Sequence, residues 1–143
     1  MTLHLGTIPV REMRTHAEQA YPHECCGALV GKRNETVATI IRAVPMQNLD
    51  TERAHDRFTL DPRELMQVER AADRDGLELI GFYHSHPDHP ARPSQTDLAF
   101  AGPWPGLSWI IMSVQKGTMA DIRSWVVTPG GDRFEEEPVE APK

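Results

Sequence analysis

Apolar and polar positions alternate along this chain with two different periods. Thr2 to Ile8 is a short mixed segment that reads as an edge strand, and Pro9 suits the first turn of a helix. Val10, Met13, Ala17 and Ala20 recur at helical spacing, which predicts a helix over Val10 to Tyr21, ended by Pro22. Cys25 to Val30 is apolar with Gly27 inside and reads as a strand. Gly31 to Asn34 then reads as a hairpin turn, and Thr36 to Val44, rich in Val, Ile and Thr, as the return strand closed by Pro45. Residues 47 to 57 are polar and read as an exposed loop, followed by a brief strand at Phe58 to Leu60. Asp61-Pro62-Arg63-Glu64 is a helix start, with Asp61 as N-cap and Pro62 first in the helix. Leu65, Val68 and Ala72 give that helix one apolar face as far as Asp75, and Gly76 caps it. Leu77 to Tyr83 alternates little, as a strand covered on both faces does. A short helix running through Asp97 to Ala101 ends near Gly102-Pro103, and Trp104 to Gly106 is a turn. Leu107 to Val114 and Met119 to Val127 are strands around Lys116-Gly117. Trp109 suits core packing in its apolar run, although Trp104 and Trp109 could line a groove. The order of elements predicts an α/β fold, a single layered domain. Thr128 to Lys143, with its run Glu135-Glu136-Glu137, is expected to be a disordered acidic tail.

Composition narrows the class. A chain of 143 residues suits one domain. A net charge of −6 with no basic stripe argues against a general nucleic-acid role. No apolar run approaches the length of a membrane-spanning helix, and Met1 to Val10 lacks the pattern of a secretion signal. Cys25 and Cys26 are adjacent, so they form neither a disulfide framework nor a Cys-x-x-Cys zinc pair. Reduced thiols in a cytoplasmic protein are the simplest account, with Cys26 as a small buried hydrophobe.

The candidate chemistry sits at the end of the central apolar run. His84 and His86 are two apart, and on a strand such residues point the same way, so two imidazoles can aim at one place. Pro87, Pro90 and Pro93 stiffen the following loop, and Ser94-Gln95-Thr96-Asp97 opens the next helix. Zinc accepts imidazole nitrogen and carboxylate oxygen, and catalytic zinc keeps three protein ligands and one open position. His84, His86 and Asp97 make such a set. Ser94 and Asp97 also fit a helix capping box, which would give Asp97 a structural use without any metal. Ser85 faces away and suits a structural role; His89 reads as a surface residue.

These residues resemble the JAMM (MPN-plus) metalloproteases, whose signature is His-x-His-Pro, six residues, then Ser-x-x-Asp, with a distant upstream Glu. Here the signature reads His84-Ser85-His86-Pro87, Asp88 to Pro93, then Ser94 to Asp97. Upstream, Glu24-Cys25-Cys26-Gly27 is similar to the prokaryotic form of the Glu element. The resemblance covers residues 1 to 127. It implies a mixed sheet flanked by helices, an architecture similar to cytidine deaminase, without that chemistry, because the His-x-Glu and Pro-Cys-x-x-Cys signature is absent. It further implies a Zn2+ cofactor on His84, His86 and Asp97, Glu24 as general base, Ser94 as hydrogen-bond donor to an oxyanion, and residues 47 to 57 as a short insertion loop. Relatives cleave after the C-terminal Gly-Gly of ubiquitin or ubiquitin-like proteins, and small prokaryotic ones act on β-grasp sulfur carriers. The partner implied is therefore a carrier with a Gly-Gly end. Two rival readings are a non-catalytic scaffold, against which the full ligand set stands, and a zinc amidase of small molecules. The sequence leaves open the leaving group and whether the chain forms a homodimer.

Overall fold

The computed structural model describes residues 2–141. Its elements are β1 (Thr2–Leu5), α1 (Thr7–Ala20), β2 (Cys26–Arg33), β3 (Val37–Met46), α2 (Pro62–Arg74), β4 (Glu78–Pro87), α3 (Gln95–Ala101), β5 (Ser108–Gln115), β6 (Thr118–Val127), β7 (Phe134–Glu137) and β8 (Val139–Glu140). All eight strands form one sheet in the order β7-β6-β5-β4-β2-β3-β1-β8. It is mixed: β4 runs parallel to β5, and β1 parallel to β3 and β8, while the other pairs are antiparallel.

The two outermost strands, β7 and β8, are separated in sequence by Pro138 alone. The sheet therefore curls until both of its edges meet on one C-terminal segment. Ser124 of β6 pairs with Glu137, and Leu3 of β1 pairs with Val139 and donates its N–H to the Pro138 carbonyl at 2.9 Å. The inside of this curl holds α1. Met13 and Ala17 are fully buried there among Leu3, Leu29, Ile80, Tyr83, Ile110 and Met112. Apolar helical spacing is thus used on one stripe of α1, as expected for a helix docked on a sheet. The opposite face is covered by α2 and α3, whose Val68, Ala72 and Ala101 pack with Ala28, Phe82 and Trp109.

The mixed α/β architecture matches the expectation, and several boundaries do not. The helix α1 starts at Thr7 rather than Val10, with Gly6 as N-cap, so the first strand ends at Leu5. Pro9 falls in the first turn, where an N–H has no helical acceptor. The first hairpin is tighter than expected: β2 continues to Arg33, and the Asn34 side-chain oxygen accepts from the N–H groups of Thr36 and Val37. Pro45 lies within β3, opposite Gly27, on the stretch that β1 leaves uncovered, where a missing N–H breaks no ladder. Phe58 to Leu60 is not a ladder strand. The expected disordered tail is instead ordered through Glu140, since it forms β7 and β8; Pro142 and Lys143 lie outside the described residues. Backbone pairing is indifferent to side-chain charge. Only Glu137 of the three glutamates is buried, and the Ser124 hydroxyl donates to it at 2.6 Å.

Candidate metal centre and active site

The central strand β4 delivers both histidines. Residue Ile80 is extra relative to β2, because Leu29 pairs with Gly81 while Val30 pairs with Leu79. Such a bulge resets which face the following residues occupy. Gly81 permits it, since a Cβ there would run into the Ser108 carbonyl oxygen of β5. Past the bulge, Tyr83 packs against α1 while Phe82 and the two histidines share the opposite face. The Nε2 atoms of His84 and His86 lie 3.1 Å apart. Asp97 Oδ2 is 3.1 Å from His86 Nε2, and Asp97 Oδ1 is 3.3 Å from His84 Nε2.

Each ligand candidate is held from behind. The Nδ1–H of His86 donates to the Pro90 carbonyl at 2.9 Å, which leaves the Nε2 lone pair for the centre. The His84 ring stacks on Phe58 at 4.6 Å between centroids. Asp97 is the third residue of α3, and the capping box is complete: Ser94 Oγ accepts from the Asp97 N–H at 3.0 Å, and Asp97 Oδ2 accepts from the Ser94 N–H at 2.9 Å. The helix start and the ligand candidate are therefore one device.

Glu24 comes from the turn between α1 and β2. Its side chain is 6% exposed, and its Oε1 has no hydrogen-bond partner. Ligand atoms of Glu24, His84 and His86 all lie within 4.8 Å of one another, a buried group that could hold a metal ion. Asp97 belongs with them by its distances to both imidazoles. Ser85, on the other face of β4, accepts from the Cys25 N–H at 2.8 Å and so pins the residue after Glu24. The Glu24 N–H donates to the Ala54 carbonyl at 2.5 Å. Asn48 completes the frame: its Nδ2 donates to the carbonyls of Glu24 and Arg57, and its Oδ1 accepts from the N–H groups of Asp50 and Thr59. All four hydrogen-bonding positions of that amide are used.

The electrostatics follow from burial and neighbours. Burial pushes the Glu24 carboxyl up to about 8, partly opposed by His86. Burial lowers His84, favouring the neutral imidazole that a metal requires. Burial also acts to lower His86, but the Asp97 carboxylate outweighs it and holds the group above its ordinary value. Burial would raise Asp97, yet the two imidazoles and the Ser94 N–H hold it well below the usual carboxylate range. Cys25 and Cys26 are free and buried, and burial pushes each thiol up to about 12, so neither is a nucleophile at neutral pH.

A cavity of about 350 Å³ opens over this cluster, lined among others by Glu24, His86, Ser94, Arg53, Arg57 and Arg92. The polar loop at 47 to 57 thus reaches the site, and His89, though exposed, also lines it. Trp109 is buried between Phe82 and Phe100, and Trp104 meets the edge of Phe82; neither lines this cavity. Sequence reasoning did not pick out Asn48 or Phe58. Their links to the site, from Asn48 to Glu24 and from Phe58 to His84, join residues more than 20 positions apart, so no local pattern marks them.

A mixed sheet wrapped on one helix, with a His-x-His strand end facing a capped aspartate and a buried glutamate, defines a JAB-type hydrolase. The family described as prokaryotic homologs of the JAB domain matches residues 9–128, and the chain belongs to it. It is similar to the desampylase of Haloferax volcanii, at 35% identity over 80% of this chain and 76% of that protein. It is also 33% identical to the CysO-cysteine peptidase of Mycobacterium tuberculosis, over 97% of this chain and 96% of that one. Among solved structures, a protein from Desulfitobacterium hafniense superposes with a TM-score of 0.85 at 32% identity, covering 99% of this chain and 93% of that one. Among the described residues, no helix is long and apolar enough to cross a membrane.

Proposed function

We propose that this chain is a zinc-dependent peptidase that hydrolyses the bond after the C-terminal Gly-Gly of a ubiquitin-like or β-grasp sulfur-carrier protein. The observation that carries the reading is the unpartnered Oε1 of buried Glu24 beside the convergent nitrogens of His84 and His86. Separations of 3.1 to 3.3 Å between the donors of His84, His86 and Asp97 fit a tetrahedral zinc ion, whose ligands at about 2.0–2.1 Å stand roughly 3.3 Å apart. His84, His86 and Asp97 would hold the metal. When bound, zinc supplies a Lewis acid that makes water nucleophilic at neutral pH and polarises a carbonyl.

The chain's own residues do the rest. Glu24 takes the proton of the attacking water and passes it to the departing amine. The Ser94 Oγ accepts from the Asp97 N–H, so its own proton is free to be donated to the developing oxyanion. Two glycines before the cut bond let an extended backbone approach without side-chain clash. The relatives' names, desampylase and CysO-cysteine peptidase, support a small carrier protein as substrate. Two free, buried, adjacent cysteines support a reducing, cytoplasmic setting.

The test is a mass measurement on a β-grasp carrier bearing a residue or short peptide after Gly-Gly, incubated with the enzyme with and without a zinc chelator. Loss of the adduct, blocked by chelator, is expected; an unchanged mass with zinc bound would reject this substrate. Glu24→Gln should lower kcat by about 10²–10⁴ while zinc content stays stoichiometric.

A further inference from the structure

The cavity over the centre carries a charge pattern that the hydrolytic machinery does not use. Three arginines, Arg53, Arg57 and Arg92, line it against two carboxylates, Glu24 and Asp56, in a chain whose net charge is −6. Arg53 is spent on Asp56: its Nε donates to Oδ1 at 3.2 Å and a second guanidinium nitrogen to Oδ2. Among the described residues, Arg57 and Arg92 have no carboxylate within ion-pair distance. Both side chains are exposed, but the backbone that carries them is tied to the site. Arg57 lies in the loop that Asn48 ties to Glu24 through the Arg57 carbonyl, and Arg92 lies between Pro90, whose carbonyl holds His86, and Pro93. Two arginines without a carboxylate partner thus line the same cavity as Glu24 and Ser94.

We propose that Arg57 and Arg92 bind the carboxylate of the leaving group, so that this pocket is built for an adduct ending in a free amino acid or short peptide rather than for a lysine side chain of a folded protein. The inference rests on the carrier-cleaving reading and names its leaving group. In an amino acid the α-carboxylate oxygens lie within about 4 Å of the nitrogen released by cleavage. Arginines that serve it must therefore share a wall with the proton donor, as these do. Guanidinium groups also match a carboxylate with two parallel hydrogen bonds. Both kinds of leaving group depart as amines that become ammonium ions. Only the amino acid brings its own negative charge to face the arginines; a lysine adds a cation among cations.

The test compares two carriers, one ending Gly-Gly-Ala with a free carboxylate and the other ending in the same residue as its carboxamide. The enzyme should prefer the free acid by roughly 10- to 100-fold in kcat/KM, the usual worth of a hydrogen bond to a charged group. In the Arg57→Gln/Arg92→Gln double variant that ratio should collapse to near one; because it is a ratio, a general loss of folded protein does not move it. Equal rates on acid and amide in the parent enzyme, or a ratio unchanged in the variant, would overturn the proposal. So would a carrier joined to a lysine side chain that is cut as fast as the free acid. If no carrier is cut, the carrier reading fails, and titration of the peptide Gly-Gly-Ala and its amide into the zinc-loaded protein by NMR still decides the inference. Tighter binding of the acid, lost in the double variant, supports it, and equal binding rejects it.

Discussion

Asp97 answers to two requirements at once. Its carboxylate closes the cap of α3 and faces both imidazoles. Asp97→Asn separates the two, because an amide oxygen can still accept from the Ser94 N–H. We expect zinc affinity to fall by more than about 100-fold, measured by competition with a chromophoric chelator, while the helical signal of α3 survives. Loss of both together would show that the cap depends on the carboxylate charge. This double use explains why the candidate centre stands out in the sequence. His84, His86, Ser94 and Asp97 are spaced by a strand and a helix start, two local geometries with local rules. Glu24 carries no such rule, and only the family resemblance singles it out. Asn48 and Phe58 were not found, because what they touch, Glu24, Arg57 and His84, is set by the tertiary fold.

At the level of elements, the loop from Asn48 to Thr59 behaves as a clasp on the turn that carries Glu24. Asn48→Ala removes four hydrogen bonds, two of which reach Glu24 and Arg57. Each is worth about 0.5–1.5 kcal/mol, so the loop should open before the core does. Hydrogen exchange should rise across residues 49–57 with the strands still protected, and kcat should fall with zinc retained; protection unchanged in that loop would refute the clasp. A second coupling joins α1 to β4, where His16 Nδ1 meets the Tyr83 hydroxyl at 2.7 Å. Burial lowers the His16 pKa. The unfolded chain therefore binds more protons than the native one just below the ordinary histidine value of about 6.5, and stability falls as pH drops through that region. Urea midpoints between pH 7 and 5 should show a shallower slope for His16→Gln than for the parent. Hydrophobic spacing disclosed both α1 and β4. It could not disclose the bulge at Ile80 that turns the histidines toward the site.

Seen whole, the molecule is a strip of eight strands bent around one helix and fastened by its own C-terminal residues. Composition misjudged that fastening because three consecutive glutamates look like solvated chain, whereas the ladder uses only their backbone. Deleting residues 128–143 should lower the melting temperature by several degrees and raise exchange in β1 and β6 together, two strands distant in sequence; loss confined to β6 would contradict a closed sheet. The fastening has a further consequence. A segment that pairs with two strands of its own chain can pair with the same two strands of another. When it lifts off, both partners lose their cover in the same event. Concentrated protein held near its unfolding midpoint and then cooled should therefore collect as a domain-swapped dimer, each copy closed by the arm of the other, its catalytic centres intact and its return to monomer slow.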